Sequence, residues 1–301
     1  LGTLFFMHER LRYTKDFLMR LVITFFGVSS ILITFAIVFV LFRESIPFFR
    51  HVNLGEFFFG REWTPLFATK KYGILPLVSG TFLITTIALG VALPIGLTLS
   101  IFLSEFAHHK IKEYIKPFLE FLAAIPTVVY GYFALLFLTP LLKKFFPQIQ
   151  GFNALSPGIT IGIMILPYVI SLSEDVMRAV PQSLREAAYA LGASKLYTAL
   201  TVVLPAAFSG ISSAYILGIS RAIGETMVVS IAAGMMPQLT FNPFEPIQTM
   251  TAYVVQVALG DVPYGTPEFA TIFAVGLTLF IITLIFNTAA FLLKERVVQK
   301  F

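Results

Sequence analysis

Apolar residues along this chain come in long unbroken runs rather than in alternation with polar ones. Uncharged, strongly hydrophobic stretches cover 21–42, 72–104, 121–142, 145–173, 196–220 and 269–293. A helix crosses a bilayer core with about 20 apolar residues, and every run reaches that length. The fifth continues past Arg221 and Glu225 to about position 234. The pattern therefore predicts six spans, at approximately 21–42, 76–104, 117–142, 156–173, 203–234 and 269–293. Helices of a soluble all-α protein keep a polar face; these have none. Outer loops are predicted at approximately 43–75 and 235–268. The second is rich in Pro, Asn, Thr and Gly, which argues irregular structure, with one short helix at 247–259.

Composition agrees. Hydrophobic residues make up 57% and charged residues 12%, with a mean hydropathy of +0.86, outside the range of soluble domains. We read 1–301 as a single transmembrane domain of an all-α membrane protein. With the N-terminus inside, the cytoplasmic segments hold Arg10, Arg12, Lys15, Arg20, Lys110, Lys112, Lys116, Arg178, Arg185, Lys195, Lys294, Arg296 and Lys300. Outer segments hold Arg43, Arg50, Arg61, Lys70, Lys71, Lys143 and Lys144. Positive charge concentrates on cytoplasmic segments, so both termini are expected to be cytoplasmic. The net charge of +5 reflects that inner-face enrichment and implies no nucleic-acid partner. The first run exceeds the 7–15 residues of a signal-peptide core and is expected to be retained as a span.

Chemistry that the chain lacks narrows its class. There is no cysteine, and the four histidines show no metal-ligand spacing. No G-x4-G-K-[ST] is present, so ATP hydrolysis by that route is excluded. Prolines fall inside spans at Pro94, Pro126, Pro140 and Pro167; they read as packing kinks or as breaks beside a cavity. Gly80, Gly131, Gly210, Gly218 and Gly224 would allow close helix contacts. Glu174–Asp175 is expected to end the fourth span.

Between the fourth and fifth runs lies EAAYALGASKLYTALTVVLP, Glu186 to Pro205. Leu184, Ala187, Ala188 and Leu191 share one helical face, with Arg185 and Glu186 on the polar side. Gly192 is placed to stop the helix in a left-handed turn, and Pro205 suits the first turn of the next. Such a helix, at approximately 182–192, either lies on the bilayer or docks a partner. The spacing E-A-A-x3-G-x9-V-x-L-P resembles the signature of the membrane subunits of binding-protein-dependent ABC importers, with Val202 in place of an isoleucine. That resemblance implies a type I importer permease fold and makes the segment a coupling helix. Its contact residues for an ATP-binding cassette ATPase dimer would be Glu186, Ala187, Ala188, Gly192, Leu204 and Pro205. Catalysis, ATP and Mg would then belong to the ATPase, with no cofactor on this chain.

The fifth run carries the charges that a membrane interior tolerates least. Arg221 lies roughly 24 Å along the helix from Pro205 at 1.5 Å per residue, past mid-bilayer. Glu225 follows at i+4, on the same face of a continuous helix. Intramembrane charges face a cavity or a partner charge, so the pair is either an anion site or a self-neutralising structural pair. GISRAIGETMVV resembles the fifth-helix signature of the phosphate-specific branch of these importers, R-A-[IL]-G-E-T. GILPLVSGTFLITTIAL, FLEFLAAIPTVVYGYFALL, ILPYVISLSEDVMRAVPQSLREAA and Trp63-Thr-Pro65 agree with the same branch. Trp63-x-Pro65, the Ser-Glu-Asp at 173–175 and the Glu-Thr-Met at 225–227 are closer to the PstC type than to the PstA type. This resemblance implies an inner-membrane permease for inorganic phosphate, with Arg221, Glu225 and Thr226 on the substrate pathway. Its expected partners are a PstA-type permease, an extracytoplasmic phosphate-binding protein and membrane lipid. Permeation of another oxyanion, such as molybdate or sulfate, is the alternative cargo; an autonomous channel or secondary carrier is the alternative class, and it would leave the segment Glu186 to Pro205 unexplained.

Overall fold

In the computed structural model the backbone is described for residues 2–298 and the side chains for 16–292. Arg10, Arg12, Lys15, Lys294, Arg296 and Lys300, on which part of the topology argument rests, lie outside the described side chains. The chain begins with α1 (Gly2–His51) and a short α2 (Leu54–Phe59). α3 (Leu75–Ile101) runs on through a π turn at Phe102–Phe106. Next come α4 (His109–Ala124), α5 (Thr127–Phe133), a π turn at Ala134–Leu138 and α6 (Thr139–Lys143). α7 (Leu155–Arg178) is followed by α8 (Gln182–Ala190) and α9 (Lys195–Thr198), and a third π turn, Ala199–Val203, leads into α10 (Leu204–Ile223). α11 (Met227–Ala232), α12 (Met250–Ala258) and α13 (Pro267–Val298) complete the described chain.

Among the described residues, five stretches are long and apolar enough to cross a membrane: Asp16–His51, Leu75–Phe106, Leu155–Arg178, Lys195–Ile223 and Pro267–Leu292. A sixth crossing is broken, with His109–Ala124 and Thr127–Lys143 meeting at 91°. The single helix expected at 117–142 is therefore absent. Ile125 precedes Pro126, and that position is driven out of the α region; Ile125 is extended, with ψ 128. α7 forms the centre, packed on α3, α10, α4 and α5, while α1 lies at the edge against α13 with its apolar surface outward. A helix hydrophobic all round and yet exposed is matched to lipid, not water.

Two in-span prolines follow π turns. Leu204 N–H reaches back to Ala199 O before Pro205, and Thr139 N–H reaches Ala134 O before Pro140. A proline clashes with the carbonyl four residues earlier, and a wider turn relieves that clash. Pro205 thus sits within the continuous helix Lys195–Ile223 rather than opening a separate one. Close helix packing rests on glycine. A Cβ on Gly210 would lie 2.3 Å from Val176 Cγ1, and one on Gly80 would lie 2.4 Å from Gln248 O. Gly224 has no such neighbour; it marks a helix end.

The first loop folds around a buried Trp63, whose ring meets Tyr253 of α12 edge-on at 5.0 Å. α1 itself persists to His51, beyond the expected end at 42. Lys70 pairs with Glu268 at the start of α13, tying that loop to the last span. The short helix expected at 247–259 is α12, capped by Thr249 and bonded to α3 through Met250 N–H to Thr81 Oγ1, 3.1 Å. α7 extends to Arg178, so Glu174 is not past the end of the span. It is buried inside, with Oε2 2.6 Å from Lys116 Nζ.

Candidate functional site

α10 ends at Ile223, with Gly224 as its C-cap, so the helix expected to run to about 234 is broken there. A fresh helix, α11, starts two residues after Glu225. Glu225 closes the gap: its Oε1 accepts from the N–H groups of Met227 (3.1 Å) and Val228 (3.3 Å). Those are donors that a helix start leaves without partners, and a carboxylate there also suits the helix dipole. Its backbone carbonyl accepts from Thr251 Oγ1 of α12 at 2.8 Å. Glu225 is buried. Thr226 is half-buried, its hydroxyl donating to Gly224 O at 3.1 Å.

Arg221 occupies the last turn of α10 and is exposed. Its Cζ lies 4.3 Å from the centroid of the Tyr168 ring on α7. No carboxylate forms an ion pair with it among the described residues. The same-face relation between Arg221 and Glu225 needs an unbroken helix, and the break at Gly224 removes it. What the arrangement offers is a cation held over an aromatic ring, a contact that leaves guanidinium N–H donors for an oxyanion. Tyr168 escaped the sequence reading. It stands within an apolar run, and nothing in spacing links position 168 to position 221.

α8 and its flanks form a second constellation, at the opposite end of α10. Gly192 has φ +84, as a left-handed helix stop requires, and Ala193 N–H returns to Ala188 O at 3.0 Å. Arg185, expected on the polar, outward side, points inward and is buried. Its Nε and Nη2 bond Glu105 at 3.1 and 2.8 Å, and Nη1 and Nη2 bond the carbonyls of Val180 (2.6 Å) and Met177 (2.8 Å). The hydrogen bonds with Glu105 outweigh burial and raise the Arg185 pKa, so the guanidinium stays charged. Outward instead go the apolar Leu184, Ala187 and Leu191, the last 90% exposed. Glu186 is exposed, Ala188 half-buried, and Leu204 and Pro205 half-buried at the start of α10. A hollow of about 720 Å³ lies between α8 and α9, lined by Ala188, Leu191, Gly192 and Tyr197 among others. Lys195 Nζ stands 5.3 Å over the Phe106 ring, fixing α9 to the end of α3. No metal-binding group of side chains occurs among the described residues.

Residues 92–300 match the family described as binding-protein-dependent transport system inner membrane component. The chain is 36% identical over 231 residues to the probable ABC transporter permease protein YqgH of Bacillus subtilis, covering 77% of this chain and 74% of that one. It is 32% identical over 263 residues to the phosphate transport system permease protein PstC of Mesorhizobium japonicum, covering 80% and 78%. Among solved structures, a bacterial ABC transporter involved in import of the acidic polysaccharide alginate superposes with a TM-score of 0.60 at 13% identity, over 89% of this chain and 95% of that one. At that identity the likeness establishes the fold alone.

Proposed function

We propose that this chain, which belongs to the family of binding-protein-dependent transport system inner membrane components, forms half of the pathway by which an ABC importer carries inorganic phosphate across the cytoplasmic membrane. Arg221 carries this reading. A guanidinium with no carboxylate partner among the described residues, at the end of a membrane helix, is the expected form of an anion contact. Similarity to permeases named for phosphate transport supports the cargo. Glu225 and Thr226 shape the break beyond Arg221, and their place on the pathway belongs to the same proposal.

Energy comes from outside the chain in this reading. α8, with Glu186, Ala187, Ala188 and Gly192, docks on an ATPase dimer that holds ATP and Mg, and Leu204 and Pro205 carry the motion into α10. α8 therefore faces the cytoplasm, as do both termini. A PstA-type permease completes the pathway beside the exposed Arg221, and an extracytoplasmic phosphate-binding protein delivers the cargo to the opposite end. The test is uptake of labelled phosphate, sulfate and molybdate by cells lacking other phosphate routes. Phosphate uptake should vanish with Arg221→Gln and return in part with Arg221→Lys, which lacks the planar fork. Full uptake by Arg221→Gln, or preference for another oxyanion, would overturn the proposal.

A further inference from the structure

The contact between Arg221 and Tyr168 is held from both sides. On α7, Val169 follows Tyr168 and is wedged between α3 and α10. A Cβ on Gly96 would come within 2.9 Å of Val169 Cγ1, and one on Gly218 within 3.0 Å of Val169 Cγ2. Gly218 stands three residues before Arg221, one helical turn below it. The two helices thus meet at a close glycine contact one turn from the guanidinium. That contact sets the spacing of α7 and α10 beside the Tyr168 ring. Among the described residues, the Arg221 Cζ stands over the Tyr168 ring at 4.3 Å from its centroid.

Stacking has a consequence that an ion pair would not. A carboxylate occupies two of the N–H donors of a guanidinium and cancels its charge. An aromatic face binds the flat side instead and leaves all five in-plane donors available. Glu225, the acidic residue nearest in sequence, spends its Oε1 on the N–H groups of Met227 and Val228.

We infer that Tyr168 is the positioning residue of the anion site: its ring holds the Arg221 guanidinium flat, so that the donor edge is presented to phosphate in transit. This rests on the assignment of Arg221 to the phosphate pathway. The ring acts through its π face, so the phenolic hydroxyl is dispensable. Because an external binding protein captures the phosphate, the effect falls on the rate of passage and not on half-saturation.

The experiment uses the assembled importer, with its ATPase, partner permease and binding protein, in proteoliposomes. Phosphate uptake, ATP hydrolysis and half-saturation by phosphate are measured together. Tyr168→Phe keeps the ring and should match the parent. Replacing Tyr168 by phenylalanines of increasing fluorination keeps the shape while draining the π face. Maximal uptake should then fall stepwise, by about 3- to 30-fold in all, the range of a cation–π contact. ATP hydrolysis, half-saturation and membrane abundance should not change. Equal uptake across the fluorinated series overturns the inference, as does a loss that follows abundance. Arg221→Gln separates the two readings. If that variant transports normally, the pathway assignment fails and this inference with it. If it is inactive while the fluorinated series stays flat, only the role of Tyr168 is lost.

Discussion

Arg185 and Glu105 stand 80 positions apart in the chain and close on each other through two hydrogen bonds, of 3.1 and 2.8 Å, with both side chains more than nine-tenths buried. The pair pins α8 to the end of α3. Removing one member of a buried ion pair costs about 3–5 kcal/mol, because the other charge is stranded. Arg185→Met should therefore lower thermal stability and open the segment around Pro181–Ser194 to protease. Glu105→Gln keeps an acceptor for the guanidinium and should be milder. Equal protease resistance in Arg185→Met and the parent would refute the pinning role.

Leu191 is 90% exposed, so Leu191→Asp removes nothing that the isolated chain uses. It should leave abundance and melting temperature unchanged while greatly reducing recovery of the ATPase on purification. Gly192→Ala differs in kind. A Cβ there meets open space, so the penalty is the left-handed backbone alone, about 1 kcal/mol. Undiminished ATPase recovery with Leu191→Asp would show that α8 is not the docking surface.

Glu225 acts on the helix start after it, so its loss should be felt as stability. Glu225→Ala strips a cap and should cost about 1–2 kcal/mol, whereas Glu225→Gln retains an acceptor and should cost less. Combining Glu225→Gln with Arg221→Gln should restore neither uptake nor abundance beyond the single variants, because the two side chains form no ion pair. Recovery of phosphate uptake in the double variant would contradict both points.

Where α7 and α10 cross, Gly210 faces Val176 with no room for a methyl group. Overpacking of this kind costs about 1–3 kcal/mol. Gly210→Ala should be destabilised in detergent by thermal melting, and adding Val176→Ala should return most of the loss. Failure of the second change to compensate would place the strain elsewhere.

Most spans, the helix that Gly192 ends and the charged residues were legible in the sequence because each is written locally, in run length or in short spacing. Gly192 shows why: a glycine at the end of a helical face announces a left-handed stop by itself. The break at Gly224 was not legible, since an apolar run reads alike whether a helix crosses it or restarts within it. Arg185 was assigned to the wrong face because its partner, Glu105, lies in a distant span, and a buried arginine in a polar stretch has no local mark. Tyr168 was missed for the same reason. Pro126 carried a signal, the extended bias on the residue before it, that hydropathy alone overrode.

The π turn at Ala199–Val203 adds one residue to a helix that otherwise advances about 100° per residue. Everything beyond it in that helix, Arg221 included, is rotated by that increment relative to α9. The direction in which Arg221 points is thus encoded some twenty residues away, by a single surplus position beside Pro205. Deleting one residue there would leave every side chain of α10 present and turn the whole face, guanidinium and glycine contact together, away from Tyr168. Angular phase, as much as residue identity, is what this segment of the chain inherits.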